Sequence, residues 1–202
     1  LCCGGAAAIR AAKTIIRERE ELPMKPAFPL LAAALLFGAT AGHAQMRALN
    51  DPVVAHPDPE SLFTSPDPQL HRNKQVALKI VKELLEANHW DRAPLYLTER
   101  YIQHNPVAAS GLAPVMHYFI NVAKRTPAPI PEKMKTRVVA VQAEGDFVTV
   151  SFVRDVPYAD DPAKSYTTTW FDMWRFVDGK ADEHWDPATL PPAPPPAAAP
   201  AR

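Results

Sequence analysis

Apolar residues recur at helical spacing through Val76, Ala77, Ile80, Val81, Leu84 and Leu85, while Lys79, Lys82, Glu83 and Glu86 occupy the other side. This pattern predicts an amphipathic helix over 70–88. A second, shorter helix is expected from Asp91, whose carboxylate suits an N-cap, to Tyr101, with Asn105-Pro106 ending the unit. Val115, Met116, Phe119, Ile120 and Ala123 mark a third helix over 112–124. Beyond Pro131 the period shortens to two. Strands are expected over 134–143 and 147–156, around the turn Glu144-Gly145-Asp146, and over 165–177 and 180–186, around Asp178-Gly179. Helices first and antiparallel strands after define an α+β domain over 70–190.

On the long strand 165–177, Trp170, Asp172, Trp174 and Phe176 share one face, and Phe171, Met173 and Arg175 share the other. Both faces are largely apolar. If helices cover one, the second needs a partner, and a homodimer through the sheet is the economical expectation.

Prolines bracket this domain. Pro52, Pro57, Pro59, Pro66 and Pro68 fall within 45–69, which reads as an extended linker, and the Pro/Ala-rich stretch 191–202 reads as a disordered tail. The segment 24–44 has the layout of a secretory signal peptide: Lys25 as a basic start, an apolar run from Leu30 to Phe37, and Gly42-His43-Ala44 as a small-x-small cleavage site. A membrane anchor is the competing reading, but the run is shorter than the roughly 20 residues a bilayer requires. The expected location is therefore periplasmic or secreted, with no stable membrane anchor after cleavage. Residues 1–23 precede Met24, and Glu18-Arg19-Glu20-Glu21 is encoded by purine-rich codons, as a translated ribosome-binding site would be. A true start at Met24 is the expectation. Both cysteines, Cys2 and Cys3, lie in that upstream part, so the mature chain is expected to have no disulfide, thiol nucleophile or cysteine metal site. Lys+Arg and Asp+Glu balance at 22 each, which gives no reason to expect nucleic acid as a partner.

Three motifs resemble one family. Tyr101-Ile102-Gln103-His104-Asn105-Pro106, the run Phe171 to Lys180, and Glu183-His184-Trp185-Asp186 are similar, in order, to the SnoaL-like polyketide cyclases, in particular a "YIQHNP … EHWD" branch. The resemblance implies the cone-shaped α+β fold of the nuclear-transport-factor-2-like (NTF2-like) superfamily, with helices packed into a curved, mainly antiparallel sheet around a deep pocket. It also implies cofactor-independent chemistry in which a pocket aspartate acts as general acid/base in an aldol ring closure. The candidates carried over are Asp186 and His184, with His104 and Asp172 near them, and Asn105, Trp170, Trp174 and Tyr101 as pocket residues. One departure stands out: the usual aliphatic residue after Gly-Lys is Ala181 here, followed by Asp182, and the smaller side chain would enlarge the core gap or the pocket.

His184 and Asp186, two apart on a strand, point to one face, while Glu183 and Trp185 point to the other. A carboxylate and an imidazole on one wall can share a proton and remove another from a carbon next to a carbonyl, given a donor for the enolate oxygen. His104 or Asn105 would be that donor. Against this, Asp186 has equal claim to a structural role, His104-Asn105-Pro106 to being an Asx-type turn, and Trp170, Trp174 and Trp185 to being core. Asp172, between two tryptophans, is expected to be buried with His104 or His184 as partner. A metal site built from His104, His184, Asp172 and Asp186 lacks any local ligand spacing, and neither metal nor cofactor is expected.

The expected function is acid/base catalysis, such as aldol condensation or isomerisation, on a small apolar carbonyl compound. A non-catalytic ligand-binding module is the alternative. Light scattering at micromolar concentration is expected to give a dimer mass, and a stable monomer there would overturn pairing through the sheet.

Overall fold

The computed structural model describes residues 46–190. Residues 1–45 and 191–202, on which the signal-peptide, start-site and tail expectations fall, lie outside the described residues. Helix α1, Pro68–Lys79, starts at Asp67, whose carboxylate accepts from the backbone N–H of Gln69 and Leu70, with Pro68 at the first helical position. It runs on as wider π-helical turns over Ile80–Glu86. A 3-10 turn at Trp90–Arg92 leads into α2, Ala93–Tyr96, and α3 covers Leu112–His117 before it too widens, at Tyr118–Val122. No described helix is long and apolar enough to cross a membrane.

Five strands form a single sheet in the order β1-β5-β4-β3-β2: β1 Leu97–Gln103, β2 Val138–Glu144, β3 Phe147–Pro157, β4 Ser165–Val177 and β5 Lys180–Trp185. All neighbours are antiparallel except β1 and β5. Asp178 and Gly179 join β4 to β5 with φ of 49° and 76°, as the Asp-Gly signal requires of a two-residue turn with both central residues left-handed. The α+β class and the four C-terminal strands follow the sequence pattern.

Two expectations fail. The second helix stops at Tyr96, and 97–103 is an edge strand, because Leu97 and Tyr101 enter the core while Ile102 and Gln103 pair with Glu183 and His184. Nor is 45–69 simply a linker. Pro59–Phe63 forms a 3-10 helix, and Phe63 is completely buried in the main core. Proline density forbids long helices, yet Pro59 at the start of a short one supplies a preset φ and lacks only an N–H that would have no partner there.

The core lies between the inner sheet face and α1, its π-helical continuation and α3. Trp174 and Phe176 of β4, Val148 and Val150 of β3, and Ile80, Val81 and Leu84 fill it. The outer face holds the opposite set: Phe171 is 48% exposed, and Phe147 is exposed beside the partly buried Met173 and Trp185.

Strand β5 carries an irregularity that sets what each face displays. Glu183 pairs with Arg175 and Ala181 with Phe176, so two steps on β5 match one on β4 and Asp182 is the surplus residue of a bulge. Asp182 and Glu183 then meet the same arginines: Arg100 and Arg175 both bind Asp182, at 2.5 and 2.8 Å, and both reach Glu183. Ala181 is fully buried opposite Phe176 and Leu97 and does not line the pocket, so the small residue after Gly-Lys adjusts core packing. The Arg100 hydrogen bond, joined by Thr98 and the Arg175 charge, holds the Asp182 carboxyl below the usual range despite the opposing effect of burial. A depressed folded pKa means that the stabilisation is complete above the unfolded value of about 3.9 and is lost as pH falls through the lower folded one. Asp182→Asn is therefore expected to cost about 2 kcal/mol at pH 7, less than a fully enclosed pair because Arg100 is half exposed. Thermal melts should show the gap from wild type closing below about pH 3.9.

Candidate functional site

The geometry of the site begins with the two-residue period of β4 and β5. His184 pairs with Trp174, and two steps outward Asp172 and Asp186 project from the same face. All four side chains line one cavity of about 230 Å³ with Tyr101, Gln103 and Asn105. Its remaining walls are apolar: Ile80, Leu84 and Leu85 from the π-helical end of α1, Tyr118 and Phe119 from that of α3, together with Trp90 and Trp170. Trp90 and Phe119 stack with centroids 3.6 Å apart, joining two helical segments over the cavity. Arg154 lies 3.9 Å from the ring of Trp170, fixing that wall from behind. Both helices widen where they supply pocket residues, a placement common for π-helical turns at functional sites.

Asp172 and His184 are 7% and 8% exposed. His184 Nδ1 lies 2.7 Å from Gln103 Oε1, and since a carbonyl oxygen only accepts, the hydrogen is on Nδ1. Nε2 then carries the lone pair. It faces Asp172 Oδ1 at 3.8 Å and Asp186 Oδ2 at 3.9 Å, too far for a direct hydrogen bond to either. The carboxylates have other donors. Trp170 Nε1 donates to Asp172 Oδ1 at 2.8 Å, Asn105 Nδ2 to Asp186 Oδ2 at 3.1 Å, and the Ala188 N–H to Asp186 Oδ1 at 2.8 Å. Among the described residues, no lysine or arginine lines the cavity.

Tyr101 completes the polar end. It is buried, its ring lies near-parallel to that of His184 with centroids 6.2 Å apart, and its oxygen accepts from Trp174 Nε1 at 3.2 Å. Burial pushes the phenol pKa far up, with the charges of Asp172 and Asp186 adding to it against the lowering effect of the Trp174 bond. The hydroxyl therefore stays protonated.

Of the residues singled out in the sequence, Asp172, His184, Asp186, Asn105, Trp170, Trp174 and Tyr101 meet at this cavity. His104 does not. It stacks on Trp185 with centroids 4.3 Å apart, and its Nε2 is 2.8 Å from Glu183 Oε2, in the charged cluster of the outer face. Adjacent strand residues point to opposite faces, so with Gln103 at the cavity its neighbour must turn away. The His104 bond, then that of Arg175, holds the Glu183 carboxyl below its ordinary range. Asn105 makes the Asx-type turn, its side-chain oxygen accepting from the Val107 N–H at 3.0 Å, while its nitrogen donates to Asp186 and, at 3.5 Å, to Gln103 Oε1. With that nitrogen engaged, neither sequence candidate for the enolate donor is free. Gln103 was not foreseen as a site residue; its pairing with His184 becomes visible only once 97–103 is known to be a strand beside β5.

Donor atoms of Asp172, His184 and Asp186 lie within 4.8 Å of one another. That is wider than the spacing around a tetrahedral ion with bonds of about 2.0–2.1 Å, so the three would have to close in before serving one. The set drawn from the sequence, which included His104, does not assemble.

A curved five-stranded sheet with helices over its inner face and titratable groups at the polar end of an apolar cavity defines the class of α+β pocket proteins with the NTF2-like fold. The profile of the SnoaL-like domain family matches residues 79–184, and the chain belongs to that family. Among solved structures, it is similar to an NTF2-like protein of Burkholderia pseudomallei, with 16% identity, 57% of this chain and 88% of that chain covered, and a TM-score of 0.42. A cystatin-like-fold protein of Xanthomonas campestris matches at 16% identity, with 56% and 88% covered and a TM-score of 0.41. A candidate SnoaL-like polyketide cyclase of Jannaschia sp. CCS1 matches at 19% identity, with 61% and 91% covered and a TM-score of 0.40. No curated protein matches the chain in sequence.

The Gln103 bond makes a prediction that needs no ligand. Nitrogen-detected NMR of the neutral imidazole should find His184 in the Nδ1–H tautomer, and Gln103→Leu should shift it toward the Nε2–H form. A wild-type Nε2–H signal would show that the amide faces the other way.

Proposed function

We propose that the protein catalyses proton transfer at the carbon beside a carbonyl group in a small, largely apolar compound, as in enolisation, isomerisation or aldol ring closure. The observation that carries this reading is the unengaged Nε2 lone pair of His184, buried in an apolar cavity between two carboxylates at 3.8 and 3.9 Å. The Asp186 oxygens each already accept a hydrogen bond, which makes His184 the better proton acceptor and Asp186, with Asp172, the charge that faces the imidazolium once it forms. In this step the Cα–H bond breaks and its proton passes to Nε2. The electron pair moves into the enolate, whose charge rests on oxygen. Return of the proton to another carbon gives isomerisation; attack of the enolate carbon on a second carbonyl gives ring closure, with the new alkoxide taking the proton back from Nε2.

Imidazole suits the task because one ring nitrogen can take up a proton while the other keeps its hydrogen bonded to Gln103. The cavity volume is below the 300–1,000 Å³ usual for drug-sized ligands, which favours a compact compound of one or two rings. Membership of the SnoaL-like domain family supports the reaction class, and the signal-like pattern of 24–44 supports action outside the cytoplasm.

Acetophenone in heavy water provides a test that does not require the natural substrate. Wild-type protein is expected to accelerate deuterium uptake at the methyl group, read by mass spectrometry, and His184→Gln to reduce that rate by about 100-fold. Binding without accelerated uptake would indicate a ligand-binding module.

A further inference from the structure

We propose that the Tyr101 hydroxyl is the donor that binds the carbonyl oxygen of the ligand and, in the reaction above, the enolate oxygen. This deepens the proton-transfer reading, on which its catalytic half rests.

An oxygen that gains negative charge in a dry cavity needs a hydrogen aimed at it before the reaction begins. The hydrogen bonds of the polar end leave few candidates. The two Asn105 N–H groups go to Asp186 and, at 3.5 Å, to Gln103 Oε1, the Trp170 N–H to Asp172, the Trp174 N–H to Tyr101, and the His184 Nδ1–H to Gln103. His104 is on the outer face. Gln103 Nε2 also has no acceptor among the described residues, but its side chain is only half-buried, whereas Tyr101 is buried. Its oxygen accepts from Trp174, but its own hydrogen has no acceptor among the described residues, although the residue is buried and lines the cavity.

A buried hydroxyl without an acceptor costs free energy unless a ligand completes it. The Trp174 N–H also polarises the phenol, since a hydroxyl that accepts one hydrogen bond donates a stronger one. No lysine or arginine competes for an oxyanion here, and the aromatic ring beside His184 keeps donor and base at the same end of the cavity. The ligand class thereby narrows to compounds with an accepting oxygen on a carbon next to the one that gives up its proton. An isosteric hydrocarbon would leave the hydroxyl unpaired.

The test compares acetophenone with α-methylstyrene, in which a methylene group replaces the carbonyl oxygen, on wild type and Tyr101→Phe. Wild type is expected to bind acetophenone about tenfold tighter than α-methylstyrene, the effect of one hydrogen bond, and to lower the carbonyl stretching frequency in the infrared. In Tyr101→Phe the preference should fall to near unity and the frequency should rise, while α-methylstyrene binds as before, which shows the pocket intact. The deuterium-uptake rate should fall by about 100-fold. Retention of the wild-type frequency and preference by Tyr101→Phe would overturn the assignment, as would failure of wild type to bind acetophenone. If the frequency depends on Tyr101 but wild type gives no deuterium uptake, the donor stands and the proton-transfer reading falls.

Discussion

The site depends on a row of three residues across three strands. His184 of β5 lies between its parallel neighbour Gln103 on β1 and its antiparallel neighbour Trp174 on β4, so backbone pairing alone brings the three side chains to one place. The amide oxygen takes the imidazole's single hydrogen, and the indole N–H holds the Tyr101 oxygen. A neutral imidazole can donate from only one nitrogen, so committing Nδ1 to Gln103 empties Nε2 of hydrogen and turns a lone pair toward Asp172 and Asp186. Without β1 in the sheet, nothing would select that tautomer.

The two faces of the sheet treat charge in opposite ways. Outside, Asp182, Glu183, Arg100, Arg175 and His104 form a closed set in which each carboxylate has at least two partners. Inside, Asp172 and Asp186 face only neutral donors and an imidazole. Carboxylates buried without a cationic side chain are costly in a protein built only for stability. Their placement around an apolar cavity is what separates the site from the outer network, although both are drawn from the same short strand.

Much of this was legible in the amino-acid order because strands advertise their faces. The alternation through Trp170, Asp172, Trp174 and Phe176 gave the inward set directly, and the two-residue step from His184 to Asp186 kept them together. The failures came where local pattern and tertiary pairing disagree. Leu97 and Tyr101, four apart, satisfy a helical reading, and only the β5 edge, absent from any local window, decides for strand. That single misreading hid Gln103 and left His104 on the wrong side. Phe63 was missed for a related reason: a lone aromatic among prolines has no period to reveal that it is buried.

The bulge at Asp182 also has a bearing on how such a pocket can be gained or lost. Because a strand has only two sides, the surplus residue acts as a counter that sets the phase of everything after it. Pairing that residue regularly instead, without the bulge, would leave the ladder intact in principle while exchanging the roles of the side chains after it, bringing Glu183 and Trp185 inward and sending the imidazole out to solvent. A relative one residue shorter at this point, and so without the bulge, would keep the same pairs and the same inward side chains and lose only the second outward carboxylate.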